Sequence, residues 1–338
     1  MNDSTPGGAP TLHRRTGLIT PLLALVIVLA FTFAAVASGK DGRSASPRGT
    51  AGGTPVTVTD GTGTKITVTG PVTRVVALDG SAAVSMKELG LSPKDIAYGN
   101  SNKLLIDRVF GAAAKRMTAT GGSWEQPNVE DIVAFHPDLV IGDIGEGSIK
   151  RALKGVAPLY LLLGGGYKQV MKDFLNFGAL TGRSATAKQA VARFDAAMSN
   201  AAKMSGMGSR PSSLIIWGSS PTSFGAPGIG DPSASLLAAL GTYSMPTENG
   251  YSPVSLQSIL AKNPDFIFVE SLGRAANPSA PTLSSQLASN PVWGQLKAVK
   301  DHHVYEVDPL LWNYEEGNPG GLQQILAQAM TKLYPGMK

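Results

Sequence analysis

Apolar and polar residues alternate along Val56-Thr-Val-Thr59 and again along Lys65-Ile-Thr-Val-Thr69. That two-residue period flanks Asp60-Gly-Thr-Gly63, so a β-hairpin is predicted there. The period then changes. Short apolar runs at Arg74–Leu78, Asp95–Tyr98, Asp138–Ile141 and Pro158–Leu163 are predicted strands. Between and after them come helical stretches: Ser81–Leu89 with Ser81 as cap, Asn128–Phe135 capped by Asn128, and Gly166–Leu180. Apolar strands joined by helices imply a parallel sheet covered on both faces.

A different pattern follows. Ala187, Ala190, Val191, Phe194, Ala197, Met198 and Ala201 recur at helical spacing between Ser184 and Gly206, which predicts a helix of about 20 residues, about 30 Å long. Its place between two αβ runs suits a connector. After Pro211 the alternation restarts, with strands predicted at Ser213–Trp217, Phe266–Val269 and His303–Val307. Helices are predicted at Ser233–Leu240, Ser255–Ala261 and Leu322–Leu333. The segment Asn128–Ile141 aligns without gaps on Ser255–Phe268, 127 residues later, each reading cap, short helix, Pro-Asp and buried strand. Two related lobes are the better explanation. The chain is therefore divided into an N-terminal segment 1–37, a tether 38–54, an αβ lobe 55–183, a connecting helix 184–206 and a second αβ lobe 207–338.

The N-terminal segment has a targeting pattern. His13, Arg14 and Arg15 precede a 20-residue apolar run, Leu18 to Ala37, and Ala35-Val36-Ala37 fits a small-residue cleavage site. The run also has the length of a membrane anchor, so a cleaved signal and an uncleaved anchor are both open. Either places the body outside the cytoplasm. Residues 38–54 are rich in Gly, Ser, Arg and Pro and read as a flexible tether. The net charge is +5, but five basic residues against two acidic lie in the first 54. The nearly neutral remainder, without a basic run, argues against nucleic-acid binding. The chain has no cysteine, which excludes disulfides, thiolate sites and lipid attachment to an N-terminal cysteine.

No Gly-x-Ser-x-Gly elbow, His-Glu-x-x-His or phosphate loop is present, so no catalytic constellation emerges and an enzyme is not expected. His136, His302 and His303 read as structural, and no metal site is expected. A binding site reads better. Ligands of parallel αβ sheets sit outside the carboxyl ends of the strands. Candidates there are Asp79, Asn100, Lys103, Trp124 and Tyr167 in the first lobe, and Trp217, Tyr251, Arg274, Trp312 and Tyr314 in the second. Tryptophans at strand ends can stack on a flat ligand, and Lys103, Lys168 and Arg274 can pair with anionic groups. For each tryptophan, packing between strand end and helix is the alternative.

At Pro127–Gly142 the sequence resembles the substrate-binding proteins of ABC importers for iron-siderophores, haem and vitamin B12. Arg74-Val-Val-Ala-Leu78 and Val307–Trp312 resemble other landmarks of that family, over about residues 55–335. The resemblance implies an α/β fold of two Rossmann-like lobes joined by a single long helix, with a cleft that moves little. It implies no cofactor, a small chelate as ligand (a ferric-siderophore first, haem or cobalamin otherwise) and a permease as partner of a monomer. It also implies one docking glutamate per lobe. Glu130 matches the first; the second position holds Gln257, which carries no charge and puts symmetric docking in doubt. A transport-independent interaction or sensor protein of the same fold is the other reading.

Overall fold

The computed structural model describes residues 53–245 and 250–336. The predicted export segment, most of the tether, and Glu248 and Asn249 of the turn before Tyr251 lie outside the described residues. Within them no helix is long and apolar enough to cross a membrane.

Strands β1 (Pro55–Thr59) and β2 (Lys65–Thr69) form the expected antiparallel hairpin. Its turn is tied by Asp60 Oδ1, which accepts from Thr62 N at 2.9 Å and Thr64 N at 2.8 Å. The first lobe contains β3 (Val75–Ala77), β4 (Ile96–Gly99), β5 (Thr118–Thr120), β6 (Leu139–Asp143) and β7 (Leu159–Leu162). They lie in the order β5-β4-β3-β6-β7 and all pairs are parallel. Helices α1 (Gly80–Glu88), α2 (Lys103–Phe110), α3 (Val129–Ala134) and α4 (Gly166–Leu180) belong to this half. The cap of α1 is Asp79 rather than Ser81: the Asp79 carboxylate accepts from Ser81 N and Ala82 N.

Helix α5 (Ser184–Ser205) follows directly, and its predicted apolar stripe is buried at Ala187, Ala190, Phe194, Met198 and Ala201. It packs against α4 and reaches two helices of the second half, α6 (Pro232–Leu240) and the closing helix. That half holds β8 (Ser212–Ser220), β9 (Ser223–Pro227), β10 (Thr242–Tyr243), β11 (Tyr251–Pro253), β12 (Phe266–Ser271) and β13 (Val304–Val307). Its sheet runs β11-β9-β8-β12-β13, with β10 beside the start of β8. Strands β8, β12 and β13 are parallel, but β9 is antiparallel to β8 and to β11. The second sheet is therefore mixed, where the sequence had suggested a parallel one. The remaining helices are α7 (Leu256–Lys262), the short α8 (Gly273–Ala276), α9 (Leu283–Leu287) and α10 (Lys297–Lys300), then α11 (Pro309–Asn313) and α12 (Pro319–Leu333).

The internal match has a common physical basis. Asn128 and Ser255 each cap their helix by accepting from the backbone three residues on, at 3.0 and 3.1 Å. Both short helices end on one left-handed residue, His136 (φ 51°) and Asn263 (φ 46°), which also lie 127 residues apart. The aspartate of each Pro-Asp then anchors the neighbouring strand. Asp138 Oδ2 accepts from Thr73 N and Arg74 N at 2.8 Å, ahead of β3. Asp265 Oδ2 accepts from Ser212 N at 2.8 Å, at the start of β8. His136 thus holds the left-handed position that ends α3.

Phe194 has no exposed surface and touches Tyr167 of α4, ring centroids 5.8 Å apart. Phe194→Ala is expected to lower unfolding stability by about 3–5 kcal/mol, read from urea denaturation, because it opens a cavity where α5 meets the core.

Candidate functional site

The carboxyl ends of β3, β6 and β7 face the segment before α6 and the α11–α12 turn across a cavity of about 330 Å³. Backbone closes its base. Gly165 N and Gly166 N both donate to the Gly230 carbonyl of the second lobe, at 3.0 and 2.9 Å. Gly166 has φ +69°, and a Cβ there would come within 2.5 Å of Ser235 Oγ. Gly317 approaches Ser81 so closely that an added Cβ would lie 2.3 Å from its Cβ. Ser85 Oγ donates to the Gly317 carbonyl at 3.2 Å, and Arg108 of α2 pairs with Asp308 and Glu315 across the lobes.

The walls are acidic. Asp79, Asp143, Asp173 and Glu316 line the cavity, and among the described residues no lysine, arginine or histidine does. Asp79 caps α1 through Oδ1, and burial, with the Asp143 charge adding, raises its carboxyl above the usual range. Asp143 Oδ1 accepts from Gly145 N at 2.6 Å and Oδ2 from Trp124 Nε1 at 2.7 Å. Asp173 lies on the apolar face of α4 and is 5% exposed. Burial pushes it up to about 6, against hydrogen bonds to Oδ1 from Tyr160 Oη and Gln169 Nε2 at 2.5 and 3.0 Å. Glu316 Oε2 accepts from Ser233 N at 2.9 Å. Burial, reinforced by Asp231, lifts Glu316 well above the usual range. Asp231 is itself pushed up to about 6 by burial. Behind them Glu270 is buried, with Oε2 unpartnered among the described residues. Within those residues no group of three or more acidic or histidine side chains is placed to hold a metal ion.

The predicted residues separate into three groups. Asp79 and Tyr314 line the cavity, and Trp124, 50% exposed, stands beside it on Asp143. Trp217 and Tyr251 form an aromatic pair, centroids 4.1 Å apart, on β8 and β11, outside the cavity wall. The others need correction. Trp312 is fully buried: the turn into α11 swings the indole back onto Phe268, centroids 4.9 Å apart, and Nε1 donates to Gln328 Oε1 at 2.8 Å. Tyr167 packs against Phe194 instead of facing the cavity. Asn100 is exposed after β4, and Lys103 pairs with Asp107 one turn along α2, so neither lines the wall. Arg274 borders a separate depression of about 550 Å³ beside Arg108 and Asp308.

Sequence reasoning passed over Asp173 and Glu316 as site residues. A carboxylate on the apolar stripe of α4 was the available signal for Asp173; Glu316 had none beyond its acidic turn. A larger depression, about 1040 Å³, lies at the outer edge of the first sheet near Lys65 and Lys150, away from the strand ends that face the second lobe.

The family model for periplasmic binding protein matches residues 75–311, and the chain belongs to that family. The Fe(3+)-citrate-binding protein YfmC of Bacillus subtilis is 27% identical over 257 residues, covering 75% of this chain and 78% of that protein. The Fe(3+) dicitrate-binding periplasmic protein FecB of Escherichia coli is 26% identical over 245 residues, covering 71% and 78%. Among solved structures, the periplasmic catecholate-siderophore binding protein VctP from Vibrio cholerae aligns with TM-score 0.69 at 17% identity. That alignment covers 82% of this chain and all of VctP, a likeness of the two-lobe fold.

Glu146 supplies a pH test. Its side chain is 2% exposed, and burial, with Asp143 and Asp79 nearby, pushes its carboxyl from 4.5 up to about 8. Between those values the unfolded chain is ionised there and the folded chain is not, so the unfolded state binds fewer protons and stability falls as pH rises. Thermal denaturation at several pH values should show a midpoint that declines across that window. Glu146→Gln should flatten the decline; an unchanged slope would show that other groups cause it.

Proposed function

We propose that the protein is an extracytoplasmic substrate-binding protein that captures a ferric chelate and passes it to an ABC importer, without chemical turnover. The observation that carries this reading is the cavity between two αβ lobes, set at the carboxyl ends of three parallel strands. Relatives that align over most of their length bind ferric citrate by name, which supports an iron chelate as the cargo. The apolar N-terminal run would export the body or hold it at the membrane surface, and the receptor would act as a monomer.

Docking onto the importer would use the first turns of α3 and α7, where Glu130 and Gln257 are both exposed. Only Glu130 brings a charge to that contact, so orientation on the permease would rest on the first lobe more than on the second.

Titrating the purified protein with ferric chelates should give saturable quenching of tryptophan fluorescence with the chelate recovered unchanged. Trp124→Phe should remove most of the signal, and Trp312→Phe should leave the ligand-dependent change in place because that indole is sealed from the cavity. A flat titration across ferric citrate, a ferric hydroxamate, a ferric catecholate, haem and cobalamin would overturn the reading.

A further inference from the structure

We propose that the interlobe cavity selects a ferric chelate bearing a positive charge, through a pendant ammonium or amine that enters the acidic pocket, over anionic chelates; this rests on the chelate-receptor reading above.

Three observations carry it. First, the ionisable groups of the wall are all acidic: Asp79, Asp143, Asp173 and Glu316 face the cavity, and no basic side chain among the described residues joins them. Arg108, which bridges the lobes, is held by Asp308 and Glu315, with Nη1 2.6 Å from Asp308 Oδ2. Lys103 is likewise tied to Asp107. An anionic chelate would therefore meet carboxylates with no counter-charge, in a partly desolvated space where such repulsion is weakly screened.

Second, acceptor capacity is left open. Asp173, nineteen-twentieths buried, engages only Oδ1, so Oδ2 has no hydrogen-bond partner among the described residues. Asp79 likewise uses Oδ1 for the α1 cap and leaves Oδ2 unpartnered among them. A carboxylate oxygen left free at the cavity wall can accept from a ligand that brings a donor. Third, these carboxyls hold their protons more tightly than usual, because burial disfavours their charged forms. An entering ammonium would relieve that, as an opposite charge stabilises a buried carboxylate.

The test is a binding series at neutral pH with the full-length protein and four probes. These are ferrioxamine B, whose chelate carries a free ammonium arm, its N-acetylated form with the same iron centre, ferric citrate and a ferric tris-catecholate. The ammonium form is expected to bind at least about tenfold more tightly than the acetylated form, and the two anionic chelates more weakly still. Asp173→Asn should narrow the affinity gap between the ammonium and acetylated forms. Asp79→Asn repeats the comparison if that variant does not fold. Equal binding of the ammonium and acetylated forms, or tighter binding of citrate or catecholate, would overturn the charge preference while leaving the receptor reading intact. Failure of all four to bind would overturn both.

Discussion

The lobes meet backbone to backbone, and the cavity depends on that contact. Gly165 and Gly166 donate to Gly230 across the boundary, and Gly317 lies against Ser81 with no room for a side chain. Glycine permits such approach because nothing projects from its Cα, and at Gly166 it also accepts a positive φ that other residues take with strain. Helix α5 holds the other side, its apolar stripe sealed against α4, α6 and α12. Between the glycine seam and this strut, the carboxyl ends of the first sheet are fixed opposite the α11–α12 turn.

That arrangement explains why the site is acidic. The side chains that follow parallel strands are also the first residues of helices, where an aspartate is favoured by free backbone N–H groups and by the helix dipole. Asp79 and Asp143 fill those positions at the end of β3 and β6, and Asp231 does so at the start of α6. Bringing two lobes together points their capping carboxylates at one another. Asp173 and Glu316 add to them from a helix face and a turn. The result is a pocket whose proton affinity is raised by burial and by like neighbours, as at Asp79 and Glu316.

Much of the fold could be read from the chain because its signals are local. Gly166–Leu180 and the start of α5 at Ser184 fall where hydrophobic spacing put them. The repeat at Asn128 and Ser255 was visible as letters; its cause, a cap, a left-handed residue and an aspartate that ties the next strand, needed coordinates. Strands β5, β9 and β11 escaped notice. They are short, lie at or toward a sheet edge, and carry Thr, Ser, Gly and Pro without a clear period. The aromatic candidates show the limit of reasoning from strand ends. Trp124 and Trp312 both follow strands, yet one stands half exposed on Asp143 and the other is stacked on Phe268. Which way an indole turns is set by the helix after it, a tertiary matter. Of the wall carboxylates only Asp79 stood among the sequence candidates, and their convergence from two lobes had no linear signature.

A seam made of glycine brings the two backbones into direct contact, so sliding or clamping of the lobes has to break hydrogen bonds there. The close contacts of the seam shape the void in the absence of any guest. A void shaped in this way by the backbone itself lowers the ordering cost of capture to the extent that the seam holds.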